Sequence, residues 1–128
     1  MSQENVEIVR RAFDVSDDLD AVSSFWHEGI EWIEPPESPA TVAVVGAKAA
    51  RDAMEEWMAM WDEYRYKVDE LIDVGDEVIL GGTQVMVARG AEVSSALFFV
   101  WTLRDGLAVR ARLFLNRSQA LEAVGMAE

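Results

Sequence analysis

The chain contains no cysteine, one histidine and three prolines among its 128 residues. Without cysteine there is no disulfide, no thiolate nucleophile and no thiolate-ligated metal, and a reducing cytoplasmic setting is expected. His27 is the single histidine, too few for a histidine-carboxylate metal cluster, so no metal is expected. No Gly-x-Gly-x-x-Gly, phosphate loop or nucleophile elbow occurs, which removes support for nucleotide use and serine hydrolysis, and no cofactor is expected. No apolar run approaches the roughly 20 residues that span a bilayer. The opening Met1-Ser-Gln-Glu-Asn-Val-Glu7 lacks the basic-then-apolar order of a signal peptide. Basic residues are scarce as well. Eleven Lys and Arg stand against 24 Asp and Glu, a formal charge of −13. Such a surface repels phosphate backbones and anionic headgroups, so neither nucleic acid nor membrane is an expected partner.

What is present suits one core. About half of the residues are apolar, and the length is that of a single domain spanning 1–128. Residues 1–64 carry 15 acids and 4 bases, whereas Val93–Arg117 holds Arg104, Arg110, Arg112 and Arg117 against Asp105 alone. Positive charge therefore gathers on the closing strands.

Val6, Val9, Ala12 and Phe13 recur at helical spacing and predict a first helix ending near Val15–Asp18. A second, short helix follows from Asp18, with Ala21, Val22, Phe25 and Trp26 on its apolar side and a stop at Gly29. Ile30–Glu34 alternates as a strand ended by Pro35-Pro36, and Glu37–Gly46 is a loop or irregular edge. Ala47–Tyr64 predicts the longest helix, with Met54, Trp57, Met58 and Trp61 in one stripe. The period then falls to two. Arg65–Asp73, Glu77–Arg89, Glu92–Leu103 and Leu107–Asn116 form a strand meander, its last turn at Asp105-Gly106. Asn116 or Ser118 caps a final helix that stops at Gly125. Helices first and strands later predict an α+β fold, helices packed on one face of an antiparallel sheet.

The order of elements, with Asp18-Leu-Asp-Ala21, Ile30-Glu-Trp32, Glu34-Pro-Pro36, Val100-Trp-Thr-Leu-Arg-Asp-Gly106 and Gln119-Ala-Leu-Glu-Ala-Val-Gly125, resembles the SnoaL-like branch of the nuclear transport factor 2-like superfamily. The resemblance covers essentially the whole chain and implies a cone, a curved antiparallel sheet with N-terminal helices on its concave face and a pocket between them. It also implies a homodimer through the sheet. For activity it is unspecific, since that superfamily holds ketosteroid isomerases, polyketide cyclases, epoxide hydrolases and binding modules.

Two residues carry the candidate chemistry. If Asp105-Gly106 is a two-residue turn, Trp101 faces Arg110 and Phe99 faces Arg112, so one sheet face collects Phe99, Trp101, Arg110, Arg112 and Phe114. By analogy with the superfamily, Arg110 and Arg112 point into the pocket; otherwise they lie on a solvated or dimer-facing surface. Glu34, before Pro35, resembles the isomerase Asp-Pro pair whose Asp is the general base. Desolvation would raise its pKa into a useful range, and a nearby arginine would lower it. Glu34 as base and Arg112 as anion stabiliser form one reading; a structural ion pair or an exposed glutamate is the other. The isomerase oxyanion donors correspond to Phe13 and Leu97, which cannot donate, so steroid isomerisation is disfavoured. Epoxide hydrolysis lacks a second acid. Trp32, Trp57, Trp61, Phe99, Trp101 and Phe13 are candidate walls for a flat or cyclic apolar ligand, or ordinary core. Two functions follow: a proton-transfer enzyme (isomerase, cyclase or epoxide-hydrolase-like) on an apolar cyclic substrate, or a non-catalytic ligand-binding or dimerisation module. An interior filled by aromatic side chains favours the second; an open pocket reaching Glu34 favours the first.

Overall fold

The structure, a computed structural model, describes residues 2–14, 18–37 and 43–126. In chain order the elements are α1 (Ser2–Ala12), α2 (Leu19–Val22), β1 (Trp26–Ile33), β2 (Ala43–Val45), α3 (Ala47–Ala59), β3 (Glu63–Val74), β4 (Glu77–Ala88), β5 (Ala91–Arg104), β6 (Leu107–Phe114) and α4 (Arg117–Ala123). The six strands form one curved sheet in the order β2-β1-β6-β5-β4-β3. Every neighbouring pair is antiparallel except β1 with β6. The fold is the expected mixed α+β cone.

Local chemistry explains most boundaries. Asp18 accepts from the backbone N–H groups of Asp20 and Ala21 at 3.0 and 3.3 Å and caps α2, and Asn116 accepts from Gln119 N–H at 2.9 Å and caps α4. Pro35 and Pro36 lie just past β1, after Glu34, and add no ladder donor. Asp105 and Gly106 both have positive φ, 54° and 80°, the pattern of a type I′ turn that matches strand twist.

Four predicted boundaries shift. The first helix stops at Ala12, short of the expected Val15–Asp18. The second helix stops at Val22, and the residues from Trp26 onward are strand, not helix. His27 is exposed in β1, where its Nδ1 accepts from Gly29 N–H at 2.9 Å. The long helix ends at Ala59 and β3 begins at Glu63, because Tyr64, Tyr66 and Val68 already alternate toward the core. Of the expected loop or irregular edge 37–46, Ala43–Val45 is the short edge strand β2, while residues 38–42 lie outside the described residues.

Each sheet face has its own apolar cluster. The concave face carries Tyr66, Val78, Leu80, Leu97, Phe99, Trp101, Ala111 and Leu113 and packs against Val9 of α1, Phe13 just after it, and Ala50 of α3. The convex face carries Ile79, Phe98 and Val100 beneath Ala120 and Leu121 of α4. Two adjacent glycines of β4 let one ring cross on each face. A Cβ at Gly82 would lie 2.3 Å from Lys67 carbonyl oxygen and 2.6 Å from the Tyr66 ring, and one at Gly81 would lie 2.5 Å from the Phe98 ring.

Candidate functional site

Glu34 follows β1 on the same alternation as Ile30 and Trp32, both buried against the concave face. Its Oε2 accepts from Trp32 Nε1 at 2.5 Å. Burial pushes the Glu34 carboxyl above its ordinary value of 4.5, and the indole hydrogen bond opposes that rise. Trp32 and Glu34 thus share a face, as the alternation along Ile30–Glu34 implies, with the indole fixing the orientation of the carboxylate.

Arg112 does not join it. The turn register Arg104–Leu107 and Leu103–Ala108 is as expected, but Val109 is then skipped: Thr102 pairs Arg110, Trp101 pairs Ala111 and Val100 pairs Arg112. One bulged residue transfers every later side chain of β6 to the other face. The expected pairs Trp101–Arg110 and Phe99–Arg112 are therefore replaced, and both arginines stand on the convex face. There Arg112 Nη2 lies 2.7 Å from Glu77 Oε2, and its Nη1 donates to Ala123 carbonyl oxygen at 3.3 Å. The same Glu77 oxygen accepts from Thr102 Oγ1 at 3.1 Å, and Arg110 Nη2 lies 4.0 Å away. The Arg112 side chain is 19 % exposed. This partly buried ion pair fastens α4 to the sheet. The proposed meeting of Glu34 with Arg112 is corrected by that geometry.

The cone interior is occupied by its own rings. Phe99 and Trp101 stack with centroids 5.2 Å apart and planes 9° apart. Trp101 lies 6.0 Å from Phe13, 5.0 Å from Phe25 and 6.0 Å from Trp32, and Trp26 lies 5.1 Å from Trp32. Of the residues expected as walls, Phe13, Trp32, Phe99 and Trp101 converge here as packed core. Trp57 and Trp61 form a separate pair, ring centroids 5.6 Å apart, at the end of α3.

That second pair leads to a cluster the sequence reading did not single out. Trp57 Nε1 and Tyr64 hydroxyl both donate to Gln84 Oε1, at 2.9 and 2.8 Å. Gln84 is 4 % exposed, the only buried polar or charged side chain among the described residues. Its signal was available: Gln84 takes a core-facing turn of the β4 alternation, between Leu80 and Met86. Trp57 is 39 % exposed and Val93, which faces Met86 across the sheet, is 50 % exposed. Ring surface therefore reaches solvent at this end of the cone. Burial raises the Tyr64 and Tyr66 phenols above 10.0, so both stay protonated donors at neutral pH.

A cleft of about 650 Å³ lies against α2 and α3 near Asp20, Arg51 and Glu55. Another of about 590 Å³ lies between α1 and the Asp105-Gly106 turn. None of the expected site residues lines either. Among the described residues no group of three or more His, Asp and Glu is placed to hold a metal ion. Among them, too, no helix is long and apolar enough to cross a membrane.

A model of the SnoaL-like domain matches residues 7–111. The chain belongs to the SnoaL-like domain family. No curated protein matches it in sequence. Solved structures similar to this SnoaL-like chain include a nuclear transport factor 2-like protein from Burkholderia thailandensis E264, at 26 % identity and TM-score 0.76, covering 88 % of this chain and 90 % of that one. TerC, co-crystallised with polyporic acid, is 21 % identical with TM-score 0.75, covering 94 % and 98 %. A putative SnoaL-like polyketide cyclase from Jannaschia sp. CCS1 is 21 % identical with TM-score 0.73, covering 88 % and 85 %. The likenesses establish the fold. In this SnoaL-like chain the interior is filled by its own rings, Glu34 is oriented by Trp32, and Gln84 meets Trp57 and Tyr64 beside partly exposed ring surface.

Proposed function

We propose that this SnoaL-like domain is a small-molecule binding module that takes a flat, apolar ring compound at the open end of the cone, against Trp57, Trp61 and the adjoining sheet. The observation carrying the reading is the ring-filled interior beside partly exposed rings at the end of α3. A site of ring faces binds flat apolar molecules through area removed from water and through ring contacts. Proton-transfer chemistry is not required of it, because the guanidinium that would stabilise a developing anion is engaged with Glu77 on the opposite face. The test is a titration with indane and 1-indanone, followed by the indole N–H resonances of the five tryptophans. Saturable shifts at Trp57 and Trp61, weakened several-fold in Trp57→Ala, are expected. Absence of binding by both compounds overturns the reading.

One observation favours a second reading. The Glu34 carboxyl is half-buried, oriented by Trp32 and raised by desolvation, as a general base requires. In that case Glu34→Gln abolishes turnover of a cyclic substrate and leaves affinity for it intact.

We further propose that copies pair through the part of the convex face beyond α4. There the rows Arg65–Val85–Ser94 and Lys67–Thr83–Ala96 run across β3, β4 and β5. Thr83, Ser94 and Ala96 are small enough for a second sheet to approach, and the Arg65–Glu92 pair at 3.7 Å supplies both signs at the rim.

A further inference from the structure

We infer that Gln84 is a specificity-determining residue that selects ring compounds bearing a carbonyl oxygen, an assignment resting on the open-end binding site proposed above. The argument begins with the chemistry of the amide. Indole N–H can only donate, so the Gln84 atom 2.9 Å from Trp57 Nε1 must be the oxygen. Tyr64 hydroxyl uses the same oxygen at 2.8 Å. With Oε1 committed to two donors, the amide cannot flip, and its NH2 is held pointing away from Trp57 and Tyr64. No described residue accepts from it.

The Gln84 NH2, without an acceptor among the described residues, keeps some contact with solvent, so a ligand oxygen can reach it. Gln84 is 96 % removed from solvent, and its row across the sheet is Tyr66–Gln84–Ser95, with small Ser95 on the open side. A second donor without a partner lies in the same neighbourhood. Trp61 Nε1 is buried and unpaired, on the ring that meets Trp57 edge to face. Trp61 Nε1 thus lacks an acceptor among the described residues, the Gln84 NH2 meets solvent, and both donors are uncharged. Neutral donors in an acidic protein suit an uncharged carbonyl rather than a carboxylate, whose desolvation they would not offset.

The site is separate from Glu34. In the strand order β1-β6-β5-β4, Gln84 is three strands from β1, about 14 Å across the sheet at the usual strand spacing. A carbonyl-bearing ring at Gln84 therefore needs no contact with the Glu34 carboxyl, and the two roles can be tested apart.

Indane and 1-indanone share one ring skeleton and differ in the carbonyl group. Wild-type protein is expected to bind the ketone about five- to tenfold more tightly, the effect of one neutral hydrogen bond. The ketone, not the hydrocarbon, is expected to shift the Gln84 side-chain NH2 and Trp61 indole resonances. In Gln84→Leu the preference should vanish while indane still binds. Tyr64→Phe, which leaves the amide in place, should keep a reduced preference and serves if Gln84→Leu does not fold. Equal binding of the two compounds by wild type, or a preference undiminished in Gln84→Leu, overturns the role of Gln84 and leaves the binding module standing. Binding of neither removes both.

Discussion

Glu34 sits close enough to the aromatic core to lose water yet far enough out to titrate. Because its folded-state pKa lies above the unfolded one, the native state binds more protons than the unfolded chain between the two values. The stability held below about pH 4.5 is then lost as pH rises through the folded-state pKa. Glu34→Gln keeps an acceptor for Trp32 and removes the titration. Its melting temperature should gain on wild type as pH increases above that point and the gain should then level off. Thermal melts of both proteins from about pH 4 to pH 8 check this; a difference independent of pH would show the carboxyl to be solvated. Arg112 behaves oppositely. Arg112→Met leaves Glu77 short of its nearest cation and α4 short of one tie to the sheet, a loss of about 2 kcal/mol. Chemical denaturation should record that loss while affinity for 1-indanone stays unchanged; a parallel fall in affinity would return Arg112 to the binding site.

At the scale of elements, the decisive feature is the single skipped residue Val109. Alternation along β5 and β6 was legible, and so was the Asp105-Gly106 turn, but a bulge has no side-chain signature in Ala108-Val-Arg110. The pairing continues to Val100–Arg112 only because Ala111 and Leu113 fill the concave face better than two guanidinium groups would. Burial energy chose the register. Deleting Val109 removes the bulge yet leaves the pairs Thr102–Arg110 and Val100–Arg112 in place, so both arginines stay on the convex face; the variant should remain folded by circular dichroism, and an unfolded variant would show the bulge itself to be required. The glycine pair of β4 gives a second test. Gly82→Ala meets Lys67 backbone oxygen at 2.3 Å, and Gly81→Ala meets the movable Phe98 ring. The first should cost about 3 kcal/mol. The second should cost less and be relieved by Phe98→Leu in a double-mutant cycle, a relief that Tyr66→Phe cannot give Gly82→Ala.

For the whole molecule, charge and association dominate. A formal charge of −13 on 128 residues repels itself in the compact state, and salt screens that repulsion. The melting temperature should therefore rise with sodium chloride. The proposed pairing through the convex face predicts a dimer in sedimentation equilibrium that Ala96→Arg converts to monomer with little change in melting temperature. A monomeric wild type would remove that proposal.

Composition, period and turn chemistry were sufficient for the α+β class, the strand meander, the caps at Asp18 and Asn116, and the shared face of Trp32 and Glu34. Each depends on neighbours a few residues apart, where local hydrogen bonding and alternation act directly. Which face Arg110 and Arg112 occupy, how tightly the rings close the interior, and the meeting of Trp57, Tyr64 and Gln84 belong to the tertiary structure alone. These arise from packing between segments distant in the chain, and one residue of slip in one strand is enough to exchange an active-site arginine for a structural one.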